Sequence, residues 1–410
     1  MTPTEHIPLE PTPTKPPTQT VTGGVYSYVW ETEAVQVTVQ RIREDSRHTP
    51  TADVRIQARP EGHIHMTRIN LLSTQARTQV ARHCAGRCTR SRDWDAIVEQ
   101  FCVLTLDHWR QGEAVVDLGT VKPSPEPAYR LRPFLLEEEA TLIYGDGGIG
   151  KSYVAAYLAS QIDQGIQVGN YSPIRGRVLY LDYETNSQIA ARRFQALAKG
   201  FGFGDTNRVL YRFCFQPLAL EIAEIQTIVA EANVEFIVVD SAGPACGGDP
   251  ESAASAINYF TALRSLRKTS LTIAHRSKSG SVGPFGSVYW VNYPRATYEL
   301  KKAQEMGQDV MHVALMHRKV NEGRLQEPVS FRFTFRHGAV TVTEEAIADV
   351  PDFATELPMA DQIVAALQDH GPQSAKDVAG MTGLNLGSVQ VILSRDSRFR
   401  RIGNNRWDTI

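Results

Sequence analysis

ATLIYGDGGIGKS (residues 140–152) decides how the rest of the chain is read. An apolar run of strand length, 140–145, passes directly into Gly145-Asp146-Gly147-Gly148-Ile149-Gly150-Lys151-Ser152. That segment fits G-x-x-x-x-G-K-[ST], and an amphipathic helix opens behind it, from Tyr153 to Gln164. The spacing has a chemical reason. Glycines let backbone N–H groups turn inward around a phosphate, and the helix N-terminus adds its dipole. Lys151 is then expected to reach the β- and γ-phosphates of ATP, and Ser152 to hold Mg²⁺, with Gly145 through Tyr153 forming the nucleotide-binding segment. A glycine-rich turn with a chance Lys-Ser is the rival reading. The strand before it and the helix after it favour the phosphate loop.

Outward from the loop, the same kind of strand recurs. RVLYLDYE (177–184), EFIVVDS (235–241) and SLTIAHR (270–276) are short and almost wholly apolar, and helical segments near 151–164, 187–199, 221–232 and 250–268 separate them. Strands buried on both faces and alternating with helices predict an α/β core with a mostly parallel sheet. In such a sheet the carboxyl ends of the strands meet at one rim. Asp240 ends one strand as an acid that can bind Mg²⁺ through water or Ser152. Glu184 ends another and is the choice for the base that orients the attacking water, with Asp182 its rival. His275 ends a third, where it can sense the γ-phosphate or merely form a strand-end hydrogen bond. Further strands are expected at 296–302, 310–319 and on both sides of His337-Gly338.

Length and charge bound the remainder. At about 100–200 residues per domain, 410 residues imply two to four domains. Lys plus Arg is 43 against 45 Asp plus Glu, a formal charge of −2, which excludes a uniformly basic nucleic-acid coat. Nucleic-acid contact must come from local patches. No apolar run approaches the roughly 18 residues of a membrane span. The start lacks a signal-peptide layout, and five cysteines are too few for a disulfide framework, so a cytoplasmic location without membrane contact is expected. Residues 1–20 are Pro/Thr-rich and read as a disordered tail. Residues 21–125 alternate at 34–42, 52–58 and 63–71 and then turn helical near 74–85 and 93–111, a small α+β domain. The core covers 126–347 and 348–358 reads as a linker.

Residues 359–410 form a last unit: three short helices at 360–370, 374–381 and 386–395, then a hairpin turning at Asn404-Asn405. This resembles a winged helix-turn-helix domain with 384–396 as recognition helix. Arg395, Arg398, Arg400, Arg401 and Arg406 stand against one nearby acid, Asp396, which suits duplex DNA backbone contact. Protein contact is the alternative use of such a unit. In the first domain Arg77, Arg82, Arg87, Arg90 and Arg92 read as a solvated basic face. His83-Cys84-x3-Cys88 offers three ligands where a tetrahedral zinc site needs four, so no metal is expected there.

The series Gly145–Ser152, YLDYE (180–184), VVDSAGPACGGDPES (238–252), IAHRSKSG (273–280) and GSVYWVNYPRATYEL (286–300) resembles the RecA-like ATPases of the RepA-type hexameric helicases, encoded by plasmids, phages and other mobile elements. The resemblance spans about 130–345. It implies a RecA-like P-loop NTPase core that hydrolyses Mg-ATP at subunit interfaces of a homohexamer, with single-stranded DNA in the ring channel. It favours Glu184 over Asp182 as the water-activating acid. The family often carries His-His where this chain has His275-Arg276, so only the first histidine is kept. Arg295 falls at the family's arginine-finger position, acting on the neighbouring subunit's nucleotide, and Lys319 at a later basic position that can cross the same interface. The channel would be lined by 243–252 and 276–286, the second carrying Arg276 and Lys278, three glycines and no acid. The expectation is a replicative DNA helicase. Its rivals are an ATPase-switched DNA-binding regulator and a recombination mediator or loader.

Overall fold

Period-two alternation near the amino end becomes an antiparallel sheet, as alternating burial requires. The protein is described here from a computed structural model, which covers residues 15–22, 24–45, 48–111, 115–167, 170–202, 208–277, 283–403 and 405–410. These residues divide into two units, one running to Pro123 and including Glu221–Ala232, the other made of Ser124–Leu220 and Asn233–Ile410.

In the first unit β1 (Thr18–Thr22), β2 (Val25–Trp30), β3 (Val35–Glu44), β4 (Pro50–Ala58) and β5 (Gly62–Asn70) pair in chain order. The inward side chains Tyr28, Val37, Val39, Val54 and Ile56 form a core with α1 (Thr74–Ala85) and α2 (Trp94–Gln111). Ile97, Val98, Phe101 and Cys102 repeat at helical spacing and supply the buried stripe of α2. The strand β1 corrects the expected tail, because residues 18–20 pair with Ser27–Val29 of β2. Tail and strand have the same Thr-rich composition; the β-branched threonines suit a strand that has a partner.

The second unit opens on the short pair β6 (Tyr129–Leu131) and β7 (Leu135–Leu136). Then come β8 (Ala140–Gly145), α3 (Lys151–Gln164), β9 (Arg177–Asp182), α4 (Ser187–Gly200) and β10 (Leu210–Phe213). The chain continues through α5 (Leu218–Glu231), β11 (Val234–Asp240), α6 (Ala242–Ala245), α7 (Ala253–Ser265), β12 (Thr269–His275) and α8 (Tyr289–Asn292). Four more strands follow: β13 (Ala296–Ala303), β14 (Val310–Val320), β15 (Val329–Arg336) and β16 (Ala339–Glu345). Nine strands make one sheet in the order β10-β9-β11-β12-β8-β13-β14-β15-β16. The first six are parallel and the rest antiparallel. Ile143, Val178, Tyr180, Val238, Leu271 and Ile273 are buried in one cluster with α3. Each such side chain contributes about 1.5–3 kcal/mol relative to an exposed one.

The segment read as a linker is docked, not free. It holds α9 (Pro351–Ala354), and Phe353, 1% exposed, packs with Ala303, Ala314, Met316, Ile347 and Val350. Beyond it lie α10 (Met359–His370), β17 (Gln373–Ser374), α11 (Ala375–Thr382), α12 (Leu386–Arg395), β18 (Phe399–Ile402) and β19 (Arg406–Thr409). Ile363, Leu367, Val378, Val389, Leu393 and Phe399 form the separate core of this last part. Among the described residues no helix is long and apolar enough to cross a membrane.

Candidate nucleotide site and its surroundings

Parallel register brings the chemistry to one rim. His275 pairs with Gly145, and Asp240 pairs with both Asp182 and Ile273, so the carboxyl ends of β8, β9, β11 and β12 are level. Between β8 and α3 runs the glycine-rich loop, with Asp146, Gly147 and Ile149 at its turn. Gly150 caps the helix at φ +92°, and a Cβ there would lie 2.9 Å from the Met311 methyl. Gly145 is equally constrained, since a Cβ would meet the Leu300 carbonyl oxygen at 2.9 Å. Side chains at these two positions would push the loop off the sheet, which is why glycine is needed there.

Lys151 is buried, and its Nζ donates to the carbonyls of Gly145 (3.0 Å) and Asp146 (2.6 Å). Burial lowers its pKa, opposed by the fields of Glu184 and Asp240. Among the described residues no carboxylate lies within ion-pair distance of it. A cation desolvated without a counter-ion suits a phosphate. Asp240, 4% exposed, accepts from Tyr180 Oη at 2.6 Å and from the Ser152 hydroxyl. Burial raises its pKa, and those two hydrogen bonds oppose the rise. A hydroxyl and a carboxylate already in contact are a donor set that fits Mg²⁺, which takes hard oxygen ligands. When bound, the ion would neutralise phosphate charge.

Glu184 lies two residues past β9, and Ser241 Oγ donates to its Oε1 at 2.5 Å. His275 Nε2 stands 3.7 Å from the same oxygen. Glu184, Lys151, Ser152, Asp240 and His275 all line one cavity of about 510 Å³, together with Gly150 and Tyr153. The rival Asp182 is otherwise engaged. It is 1% exposed and accepts from the Glu184 and Thr185 amides (2.9 Å each), the Thr185 hydroxyl and Tyr211 Oη (3.1 Å). A carboxylate holding four donors shapes the turn; Glu184 is left to face the cavity.

Three residues of the site escaped the sequence reading. Ser241 directly follows Asp240 and orients Glu184. Arg193 on α4 also lines the cavity, its guanidinium 5.2 Å over the Tyr153 ring. Lys302 on β13 reaches the Gly148 carbonyl at 3.3 Å. Arg193 follows Glu184 by nine residues, a spacing that has meaning only once α4 is placed beside the loop.

Arg295 and Lys319 are brought together, but at the other end of the sheet. The Arg295 amide donates to the Ala140 carbonyl at the start of β8, and its Nε lies 3.4 Å from Glu139. Lys319 donates to the Asn292 (3.0 Å) and Pro294 carbonyls, and burial and Arg295 lower its pKa. Five residues of β8 separate this end from the phosphate loop, about 16 Å at the rise of a strand.

The first expected channel segment is tied to the residues just past the second. The Pro250 carbonyl accepts from the Ser287 amide (2.9 Å) and from Trp290 Nε1 (3.0 Å). The second segment begins as a hairpin, with the Phe285 amide on the His275 carbonyl (2.7 Å) and Ser277 on Gly283 (3.1 Å). Arg276, expected to face nucleic acid, is instead 2.9 Å from Glu299, a buried carboxylate that also pairs with Arg318 at 2.7 Å. Lys278 lies outside the described residues.

In the C-terminal part Arg398 is spent on Asp361 (2.6 Å) and Asp396 (2.8 Å), Arg400 pairs with Asp408 at 3.4 Å, and Arg401 donates to Asn405. Arg395 and Arg406 are exposed, with no ion pair among the described residues. The arginines of the first domain are a solvated face only in part: Arg82, Arg87 and Arg90 are exposed, but four of the five side chains also hold backbone carbonyls. Arg87 donates to the Ile64 carbonyl (3.0 Å), Arg90 to Thr32 (3.1 Å), Arg92 to Glu33 and Arg59 (2.9 and 2.7 Å), and Arg77 to Leu71. Nearby, the His83 and His65 rings lie 4.1 Å apart between centroids and tilted by 39°, and burial pushes the Cys84 thiol up to about 12.

Residues 110–281 match the family model described as an AAA domain. The core is a P-loop ATPase. That match takes in the phosphate loop, Glu184, Asp240 and His275, and stops before Arg295. Among solved structures the chain is similar to a KaiC-like protein from the hyperthermophilic archaeon Pyrococcus horikoshii OT3, at 14% identity and a TM-score of 0.38, covering 54% of this chain and 97% of that one. A search of curated proteins finds no match. The mixed sheet, parallel around the loop, is consistent with a RecA-like core.

Proposed function

We propose that this ATPase is a nucleic-acid motor, a RepA-type hexameric DNA helicase that moves along single-stranded DNA by hydrolysing Mg-ATP at its subunit interfaces. One observation carries the reading: Arg295 and Lys319 sit at the opposite end of β8 from the phosphate loop of the same chain. An arginine there is remote from its own nucleotide, which supports a role on a neighbour's. Within one chain, Lys151 holds phosphate, Glu184 orients water and takes its proton, and His275 stands beside Glu184, ready to report the phosphate's state to the hairpin rooted on its carbonyl. The tie between Pro250 and Trp290 of α8, just past the second segment, supports joint movement of the two channel segments.

Three helices and a hairpin in the C-terminal part support reading it as a winged helix-turn-helix unit, with Arg395, Arg401 and Arg406 the candidates for duplex backbone contact. All five cysteines are free thiols, which suits a cytoplasmic protein. The test is strand displacement on a forked substrate together with ATPase rates with and without single-stranded DNA. Stimulation and unwinding are expected, and an ATPase indifferent to single strands contradicts the motor. The same exposed arginines favour a second reading, a regulator or loader whose ATPase switches assembly. A fixed footprint on duplex DNA without unwinding would select it.

A further inference from the structure

Beside the phosphate-loop cavity lies a second one of about 850 Å³, and Tyr153, Arg193 and Phe335 line both. Its walls are α4 and the β15–β16 hairpin. The two are locked together: Lys199 Nζ donates to the His337 carbonyl at 2.8 Å, and a Cβ on Gly200 would lie 1.9 Å from the Val340 carbonyl oxygen. The volume is that of a small-molecule site, for which about 300–1,000 Å³ is usual.

Its charge is one-sided. Arg192, Arg193 and Lys199 face it from the helix, Arg336 and His337 from the hairpin, and no Asp or Glu among the described residues lines it. Neither Arg192 nor Arg336 has an ion pair or side-chain hydrogen bond among the described residues. At the junction with the loop cavity, Tyr153 and Phe335 meet edge to face at 5.2 Å, a surface on which a base can rest. A nucleotide with phosphates only at its 5′ end places its charge at Lys151 and presents an uncharged base and sugar here. The cations would go unmatched.

We propose that this annex binds an additional phosphate carried on the ribose, so that the site takes a nucleotide phosphorylated on its 2′ or 3′ hydroxyl as well as at its 5′ end. The guanidinium forks of Arg192 and Arg336 match such an anion in two-point fashion. A nucleotide of this class would compete with ATP and stop the motor. The inference rests on the nucleotide reading of the phosphate loop. Concavity and continuity with that loop favour a small molecule over a strand of nucleic acid.

The test is equilibrium competition on the full chain, comparing ADP with adenosine 3′-phosphate 5′-diphosphate. The 3′-phosphate should tighten binding about tenfold or more, as charge-assisted pairing of one phosphate implies. Arg192→Ala with Arg336→Ala should erase that advantage and leave ADP affinity unchanged, and the double Lys variant should keep part of it. Equal affinity for the two ligands in the wild type overturns the proposal, as does an advantage that survives the double Ala variant. If that variant instead weakens oligo(dT) binding with nucleotide preference unchanged, the cavity tracks a strand and the proposal falls. Failure to bind ADP at all would contradict the nucleotide reading itself, and the annex with it.

Discussion

The two ends of β8 carry the groups that the proposed function assigns to opposite halves of a hydrolytic site. At its carboxyl end Lys151, Ser152, Glu184, Asp240 and His275 surround one cavity; at its amino end Arg295 and Lys319 lie side by side against backbone carbonyls. The first half can bind phosphate and activate water. The second supplies positive charge where no nucleotide of the same chain can be. On the proposed reading the difference teaches that one chain would hold parts of two sites, and that assembly would be a condition for catalysis.

Three perturbations break or sharpen this comparison. The largest effect is expected from the amino end. Arg295→Ala should lower kcat by about 10³–10⁵-fold, the usual worth of an arginine finger, with nucleotide affinity little changed. An unchanged rate in steady-state ATPase assays would make Arg295 an ordinary partner of Glu139. At the carboxyl end, Glu184→Gln should lower kcat by about 10²–10⁴-fold, the usual range for a positioned base, and retain nucleotide binding. Single-turnover measurements separate the two steps. If Asp182→Asn proves the more harmful change to chemistry with folding intact, the assignment of the base is reversed.

The smallest effect concerns stability. Asp240 has its pKa raised by burial, so the folded state disfavours the ionised carboxylate. A raised folded pKa contributes stability below the unfolded value and loses it as pH rises through the folded one. Asp240→Asn should therefore raise the melting midpoint of the nucleotide-free protein near neutral pH, by about 2–4 °C for each kcal/mol recovered. The gain should shrink as pH falls toward the unfolded carboxylate value. Calorimetry across that range checks it, and a lower midpoint for the variant at neutral pH would show that its hydrogen bonds outweigh desolvation.

The phosphate loop was legible because its residues are contiguous and the flanking strand and helix are strongly patterned. Helix α2 was legible for the same local reason. What could not be read depends on distant partners. Asp182 and Glu184 are two residues apart, and only the hydroxyl of Tyr211 and the turn at Thr185 show which of them is occupied. The arginines from Arg77 to Arg92 look solvated in sequence, yet four of them hold carbonyls of neighbouring loops or of β5. Arg276 heads a basic, glycine-rich segment and still turns to Glu299, a partner 23 residues later. Composition counts charges; it does not show which are already paired. The docked segment around Phe353 makes the same point for apolar groups, since one buried ring converts a linker into part of the core.

Mixing two inactive variants tests the divided site most directly. Glu184→Gln keeps its arginine, and Arg295→Ala keeps its base. In a mixed assembly, an interface formed by Glu184 of one chain and Arg295 of the other has both groups intact. ATPase activity should therefore reappear on mixing, rising well above either variant alone and peaking near equal proportions. Activity that stays at the level of the separate variants at every ratio, in assemblies shown to contain both chains, would contradict catalysis across a subunit interface.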